Sequence, residues 1–178
     1  IYCLNKKRLE GVMKDKYHFF KNNEICFIDL PEGFEFFYFS PSIFKRKLHK
    51  GLYRYSNLLY VFWFIFTVGR YHILYIRDKS SGEIAHFSNI LPNIFKYRFM
   101  KKGDVQIVNC WTYKRYRGLK LYPFALSKIQ EKFNDRNILI GSKTSNIASL
   151  NTIRKSGFKK TFDVEKRTIF GIYCKIDE

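Results

Sequence analysis

Acidic residues are scarce in this chain: 15 Asp and Glu stand against 33 Lys and Arg in 178 residues, a formal charge of +18. A field of that sign draws anions, whether nucleotides, coenzyme A, nucleic acid or acidic lipid headgroups. Cysteine is also sparse. The four, at positions 3, 26, 110 and 174, include no Cys-x-x-Cys pair and have no His cluster beside them. That argues against a zinc site and supplies no disulfide framework. Cys110 and Cys174 fall in apparent core strands, where an inert buried thiol is the usual outcome, and a reducing cytoplasm is the expected compartment. No apolar run reaches the ~20 residues needed to span a bilayer. Repeats, low-complexity segments and a dividing linker are missing as well, and no signal peptide is visible. The chain is rich in aromatics: 19 Phe and 13 Tyr within an apolar fraction of 46%. That composition excludes a disordered chain and predicts one domain with a bulky aromatic core.

The stretch from Val105 to Phe158 organises the rest. An apolar strand, Val105 to Trp111, leads into a basic turn, Lys114 to Lys120. A helix follows with Leu121, Ala125, Ile129 and Phe133 on one face. A second strand, Asn137 to Ile140, leads to a short helix closed by Lys155-Ser156-Gly157-Phe158. Strand, turn, helix, strand is a βαβ-type unit. A basic turn at a helix start suits a pyrophosphate, because helix N-termini present unpaired backbone N–H groups and the positive end of the dipole.

Two motifs in this unit carry a resemblance. The first is Tyr116-Arg117-Gly118-Leu119-Lys120-Leu121-Tyr122. The second is Asn146 and Ser149 followed by Lys155, Gly157 and Phe158. In order and at this spacing they resemble the phosphate loop and second signature of the acyl-CoA-dependent N-acetyltransferases of the GNAT superfamily. Arg117 and Gly118 match the loop pattern, whereas Lys120 and Tyr122 stand where loop glycines usually stand. The Leu-Tyr-Pro run after the loop also looks like a GNAT branch of bacterial surface-polysaccharide loci. The resemblance implies an α+β fold with a mixed, mostly antiparallel sheet flanked by helices. It implies one domain over 1–178, with an N-terminal part over 1–70, a core over 71–178 and a coenzyme-binding unit over 105–158.

The resemblance also implies a layout for acyl transfer with acetyl-CoA as cosubstrate and no metal. Cys110, Trp111 and Thr112, on a strand splayed from its neighbour, would pair with the pantetheine arm. Arg117, Gly118, Leu119, Lys120, Leu121 and Tyr122 would cradle the pyrophosphate, and Asn146 and Ser149 would contact the coenzyme near its acyl end. Asn146 is equally a good helix N-cap. Where many family members carry a proton-donating tyrosine, seven residues after that Asn, this chain has Ile153. Tyr113, Tyr116 and Tyr173 are substitutes among which the sequence does not choose. His86 and Ser149 are the residues put forward for catalysis, His86 as general base, with Asp104 or a water held by Gln106 as other bases. Lys120 and Tyr122 in place of glycine restrict φ and crowd the loop.

Elsewhere, residues 5–20 place Leu9, Val12, Met13, Tyr17 and Phe20 at helical spacing. Glu24 to Leu30 reads as a short strand, Pro31-Glu32-Gly33 as a turn, and Phe34 to Phe39 as its hairpin partner. Ser40-Pro41-Ser42 can start a helix bearing Phe44 and Leu48. Leu58 to Val68 has no charge over eleven residues. Buried helix, core strand and membrane-touching element all fit its pattern; a buried helix is the preferred reading. Tyr71 to Arg77 and Ile84 to Ile90 read as a hairpin about Asp78 to Glu83, followed by a basic, aromatic connection, Pro92 to Gly103. Lys159 to Val164 and Arg167 to Lys175 read as a closing pair about Asp163 to Lys166.

The function expected is acetyl-CoA-dependent N-acetylation of a small, anionic amine acceptor such as a nucleotide-linked amino sugar. The rival reading is a non-enzymatic nucleic-acid-binding domain, with Lys and Arg interleaved among aromatics over 94–101 and 113–122. Peripheral membrane contact through Leu58 to Val68 is compatible with the first reading.

Overall fold

The computed structural model describes residues 15–40, 64–94, 97, 99–166 and 173–176. Its strands are β1 (Asp15–Asn22), β2 (Phe34–Phe39), β3 (His72–Asp78), β4 (Ile84–Pro92), β5 (Val105–Thr112), β6 (Ile138–Lys143), β7 (Phe158–Lys166) and β8 (Tyr173–Lys175). The helices are α1 (Leu121–Lys132) and α2 (Ile147–Lys155), with a 3-10 turn at Lys114–Tyr116. The strands form one sheet in the order β2-β3-β4-β5-β6-β1-β7-β8. Every neighbouring pair is antiparallel except β5 and β6, which run parallel. This is the expected mixed, mostly antiparallel α+β fold.

Strand alternation divides the core between the two sheet faces. On one face Phe20, Leu74, Ile76 and Ile107 pack with Leu121, Phe124, Ala125 and Ile129 of α1 and with Leu150 and Ile153 of α2. On the other, Phe19, Ile73, Tyr75, Tyr97 and Met100 form a second cluster. There Phe19 stacks on Phe162 at 5.6 Å and meets Phe99 edge-on at 4.9 Å. The 3.6-residue period of α1 and the turn at Asp78 to Glu83 are thus as the sequence predicts, and β6 runs on past Ile140 to Lys143.

Several expectations are corrected. Residues 15–22 are strand, not helix; the earlier part of that proposed helix lies outside the described residues. Tyr17 and Phe20 fit a helical spacing, but the segment sits between β6 and β7, and the Tyr, His and Phe side chains suit a pleated, two-sided site. Residues 24–30 form no ladder. Their start is held by Asn23 and Glu24 N–H donating to the Gly157 carbonyl, while Gln130 Nε2 donates to the Glu24 carbonyl at 3.0 Å. Phe34–Phe39 therefore pairs with β3, not with 24–30. Strand β7 continues through Asp163 to Lys166, where a turn was expected, because Val164 to Lys166 find partners in β8. Of Leu58 to Val68, residues 64–67 are helical, yet Ile65, Phe66 and Val68 are exposed and Thr67 is buried. This short turn ends at Val68 and Gly69, both with positive φ, and covers only one side. The rest of that run, the helix expected after Ser40, and the strand residues 167–172 lie outside the described residues.

Candidate functional site

The parallel ladder between β5 and β6 is short. Val105, Gln106 and Ile107 pair with Ile138, Leu139 and Ile140, and there the pairing stops. Asn109 explains part of the divergence. Between Asn89↔Val108 and Phe87↔Trp111 the strand β5 carries one residue more than β4, and Asn109 takes φ 49°. A bulge of this kind bends and twists its strand. Beyond Ile107 the β6-facing edge of β5 has no ladder partner, and Gly141 to Lys143 pair only with β1.

The wedge so opened leads into a cavity of about 630 Å³. Its walls come from Ile107–Thr112 of β5, Ile140–Lys143 of β6, the loop and first turn of α1, and Asn146, Ser149 and Thr152. The sequence-selected residues converge here. Cys110, Trp111, Thr112, Arg117, Gly118, Lys120, Leu121, Tyr122, Asn146, Ser149 and His86 all line the cavity, and Leu119 does not. Tyr17, Asn109, Ser142 and Lys143 line it too and had no signal in the sequence, because β1 and the bulge join the site only through tertiary pairing.

The loop at the head of the cleft is fixed from behind. The Tyr116 hydroxyl donates to Asp78 Oδ2 at 3.0 Å, its ring meets Phe34 edge-on at 5.8 Å, and Arg115 is ion-paired with Glu83. The Ser80 hydroxyl and backbone N–H, which bond Asp78, hold that carboxyl well below the usual range, so it stays ionised. Arg115 and Tyr116 are thereby tied to the β3–β4 hairpin. Arg117 instead leans over the end of β5. Its Nε donates to the Thr112 carbonyl at 3.3 Å, its guanidinium lies 5.5 Å from the Trp111 ring centre, and no carboxylate pairs with it among the described residues. Arg117 and Lys120 are the loop cations that line the cavity.

Gly118 has φ 86° and Lys120 has φ 55°. The loop thus adopts a left-handed turn at Lys120 although the residue is not glycine, at a cost of about 1–2 kcal/mol. Lys120 is also the N-cap of α1 and makes no side-chain cap, and no acidic residue stands in the first turn. The N–H groups there are open to an anion. Lys120→Gly should relieve the strain, offset partly by unfolded-chain entropy, and raise stability by about 0.5–1 kcal/mol. A thermal melt should show Tm higher by about 1–4 °C; a lower Tm would contradict the strained turn.

At the other wall Asn146 caps α2, its Oδ1 accepting from the Ser149 N–H at 3.2 Å. Capping and cavity lining are thus combined in one residue. His86 is fully buried; Nδ1 bonds Thr112 Oγ1 at 2.7 Å and Nε2 bonds Ser88 Oγ at 2.8 Å. Burial pushes its pKa down to about 3. It is a neutral imidazole with both nitrogens engaged, not a free base. Asp104 lies at the far end of β5, bonded to the Lys101 N–H at 2.7 Å and to Asn137 Nδ2 at 2.9 Å, away from the cavity. Ile153 is buried in the core. The Tyr116 hydroxyl faces Asp78, Tyr113 is absent from the cavity wall, and the side chain of Tyr173 lies outside the described residues. Tyr122, in the first turn of α1, lines the cavity together with Ser149. Its ring stacks on His86 at 5.7 Å, and its hydroxyl meets the Cys110 and Ser149 side chains. Burial pushes the Cys110 thiol up to about 11 and Tyr122 well above its usual value, so both hold their protons.

No Asp or Glu lines the cavity, while Arg117, Lys120 and Lys143 do. No group of residues able to hold a metal ion occurs among the described residues, and no helix there is long and apolar enough to cross a membrane.

Solved structures share this architecture. A GCN5-related N-acetyltransferase from Sphaerobacter thermophilus superposes with TM-score 0.65 at 11% identity, over 84% of this chain and 50% of that one. A tandem GNAT protein from the clavulanic acid biosynthesis pathway gives 0.55 at 13%, over 85% and 52%. A GCN5-related N-acetyltransferase-like protein from Streptococcus suis gives 0.54 at 15%, over 87% and 62%. The chain therefore spans about half to three fifths of the length of these structures. No protein-family model matches the sequence, and neither does any curated protein. The likeness establishes the fold: the described chain has the architecture of the GNAT N-acetyltransferases.

Proposed function

We propose that the chain is an acetyl-CoA-dependent N-acetyltransferase acting on a small amine. The observation that carries this reading is the wedge between β5 and β6. Two strands part after three paired residues on each, and a basic loop with open N–H groups stands at the head of the gap. An amide-rich arm such as pantetheine pairs with free strand edges as a further strand would. A pyrophosphate is held by the Gly118 to Tyr122 turn and Arg117. Acetyl-CoA supplies the activated acyl group. The chain's own residues orient it, with Asn146 and Ser149 near the acyl end.

The charge of the cavity wall also supports a class of acceptor. With cations and no carboxylate in its wall, the cavity disfavours a polyamine or lysine side chain and favours an amine carrying its own anionic group, such as a nucleotide-linked amino sugar. The nucleic-acid reading loses support, because Tyr97 and Tyr116 within the basic stretches are buried and cannot stack on bases.

Calorimetric titration tests the assignment, with acetyl-CoA, coenzyme A and adenosine 3′,5′-bisphosphate compared at moderate salt. Acetyl-CoA should bind at least about tenfold tighter than the bisphosphate, and Arg117→Glu should weaken it by about 10–100-fold. Equal weak binding of all three, fading together with salt, would leave only polyanion attraction and defeat the proposal.

A further inference from the structure

We propose that Tyr122 protonates the thiolate leaving the acyl donor, and that its proton is replaced along the row Cys110, Ser88, His86 and Thr112. This rests on the acyltransfer reading above. Four elements converge to make the row: β4 supplies His86 and Ser88, β5 supplies Cys110 and Thr112, the first turn of α1 supplies Tyr122, and α2 supplies Ser149 beside it. His86 pairs across the strands with Thr112, and Ser88 follows two residues on, on the same face.

The centre of the row is an imidazole between two hydroxyls, at 2.7 and 2.8 Å. A hydroxyl can donate or accept, so either tautomer of His86 is fully bonded. Exchange of tautomers moves a proton from the Thr112 side to the Ser88 side without placing a charge on the buried ring. Beyond Ser88 lies Cys110, in contact with both Ser88 and Tyr122. Each member can both give and take a proton. A row with those properties transmits protons in a way that a row of fixed donors cannot.

Other groups in the cavity wall do not compete for this role. Arg117, Lys120 and Lys143 bring cationic side chains to the wall, not hydroxyls, and the Tyr116 hydroxyl is committed to Asp78. Tyr17 is on β1, across the cleft from α1, with Lys143 opposite in the β1–β6 register. Ile153 has no proton to give, so the hydroxyl arrives from α1 instead of α2.

In the step, the amine nitrogen bonds to the acyl carbon and the carbon–sulfur bond breaks. The thiolate takes the Tyr122 proton. The Tyr122 oxygen takes one from Cys110 Sγ, Cys110 from Ser88 Oγ, and Ser88 from His86 Nε2. His86 Nδ1 takes one from Thr112 Oγ1, which recovers it through cleft water from the acylated nitrogen. One proton leaves nitrogen and one reaches sulfur, and nothing is oxidised. Tyr122 is the catalytic residue; His86, Ser88 and Cys110 act through it.

Two measurements on the full chain test this. In ¹⁵N spectra of labelled histidine, both His86 ring nitrogens should show shifts averaged between tautomers, and Tyr122→Phe should bias them toward one. A single fixed tautomer, unmoved by Tyr122→Phe, overturns the proposal without any activity assay. In kinetics, thiol release from acetyl-CoA is followed with a panel of amino sugars and their phosphates. Tyr122→Phe should lower kcat about 100-fold, within the range for a lost general acid, with acetyl-CoA affinity kept within about threefold. His86→Gln fixes the donor at one end and the acceptor at the other. It should lower kcat about tenfold and turn a curved rate dependence on heavy-water fraction into a straight one. Wild-type protein that fails to bind acetyl-CoA sinks the acyltransfer reading and this one with it. Wild-type protein that binds and transfers, with Tyr122→Phe unimpaired, sinks only the proton row.

Discussion

Gly157→Ala should destabilise the fold by about 3–5 kcal/mol, in the extreme tail for a single substitution. Gly157 has φ 84°, and a Cβ built there would stand 2.2 Å from the Glu24 carbonyl oxygen and 3.2 Å from Cys26 Sγ. Backbone conformation alone costs an alanine about 1–2 kcal/mol in this region. The clash adds more, because a backbone carbonyl cannot rotate aside as a side chain can. Relief requires residues 23–30 to lift. That sacrifices the two bonds from Asn23 and Glu24 to the Gly157 carbonyl, the Gln130 contact, and the packing of Ile28 and Leu30. Gly118→Ala is the control: φ is 86° but nothing lies within 4 Å of the added Cβ, so only the conformational cost of about 1–2 kcal/mol applies. Urea unfolding of both variants measures the difference. Equal losses would mean that the 23–30 segment is not docked on this glycine.

The same glycine shows why part of the fold was legible. In the sequence, Lys155-Ser156-Gly157-Phe158 reads as a helix end, and it is one: Gly157 follows α2 with positive φ. What the sequence does not carry is the reason that no other residue fits, since Glu24 lies far away along the chain. The unit from β5 through α2 was readable because each of its signals is local: an apolar strand, a glycine-containing turn, a 3.6-residue period, an Asn cap. Strand β1 was misread because its state is decided by β6 and β7, more than a hundred residues on, while Tyr17 and Phe20, which share a face at helical spacing, pack on opposite faces of the sheet. Residues 24–30 looked like a strand but send their first backbone donors to one carbonyl instead of a ladder.

The candidate site divides in the same way. Its loop and strand residues follow from a motif and its spacing, and the cavity gathers all of them except Leu119. The place of His86 was less visible. A histidine on a strand can be exposed or buried, and only the assembled sheet shows both of its nitrogens matched by hydroxyls. Tyr122 stood out in the sequence as a departure from glycine, a liability for phosphate binding. In the fold it points between Cys110 and Ser149, where a hydroxyl has chemical use. Lys120, the other departure, keeps the left-handed turn and adds a charge to the cavity wall.

Acid should unfold this protein earlier than its carboxylates alone dictate, with His86 as the cause. An unfolded histidine titrates near 6.5, whereas burial holds the folded His86 near 3. Between those values the unfolded chain binds a proton that the folded chain refuses, so stability falls as pH falls. The contribution is complete above pH 6.5 and drains at about 1.4 kcal/mol per pH unit, reaching roughly 3 kcal/mol by pH 4.5. His72, half-exposed and lowered by burial with Lys132 and Arg136 nearby, adds a smaller, screened effect of the same sign. The depressed carboxyls of Asp78 and Asp163 add a loss of the same sign that sets in as pH falls into the ordinary carboxylate range. Comparing urea midpoints at pH 7 and pH 4.5 for wild type and His86→Gln isolates the histidine, because glutamine has no proton to gain. The variant should lose the steeper part of the decline, whatever its stability at pH 7. Parallel declines in both proteins would mean that His86 is charged in the fold, and a charged ring could not exchange tautomers between Thr112 and Ser88.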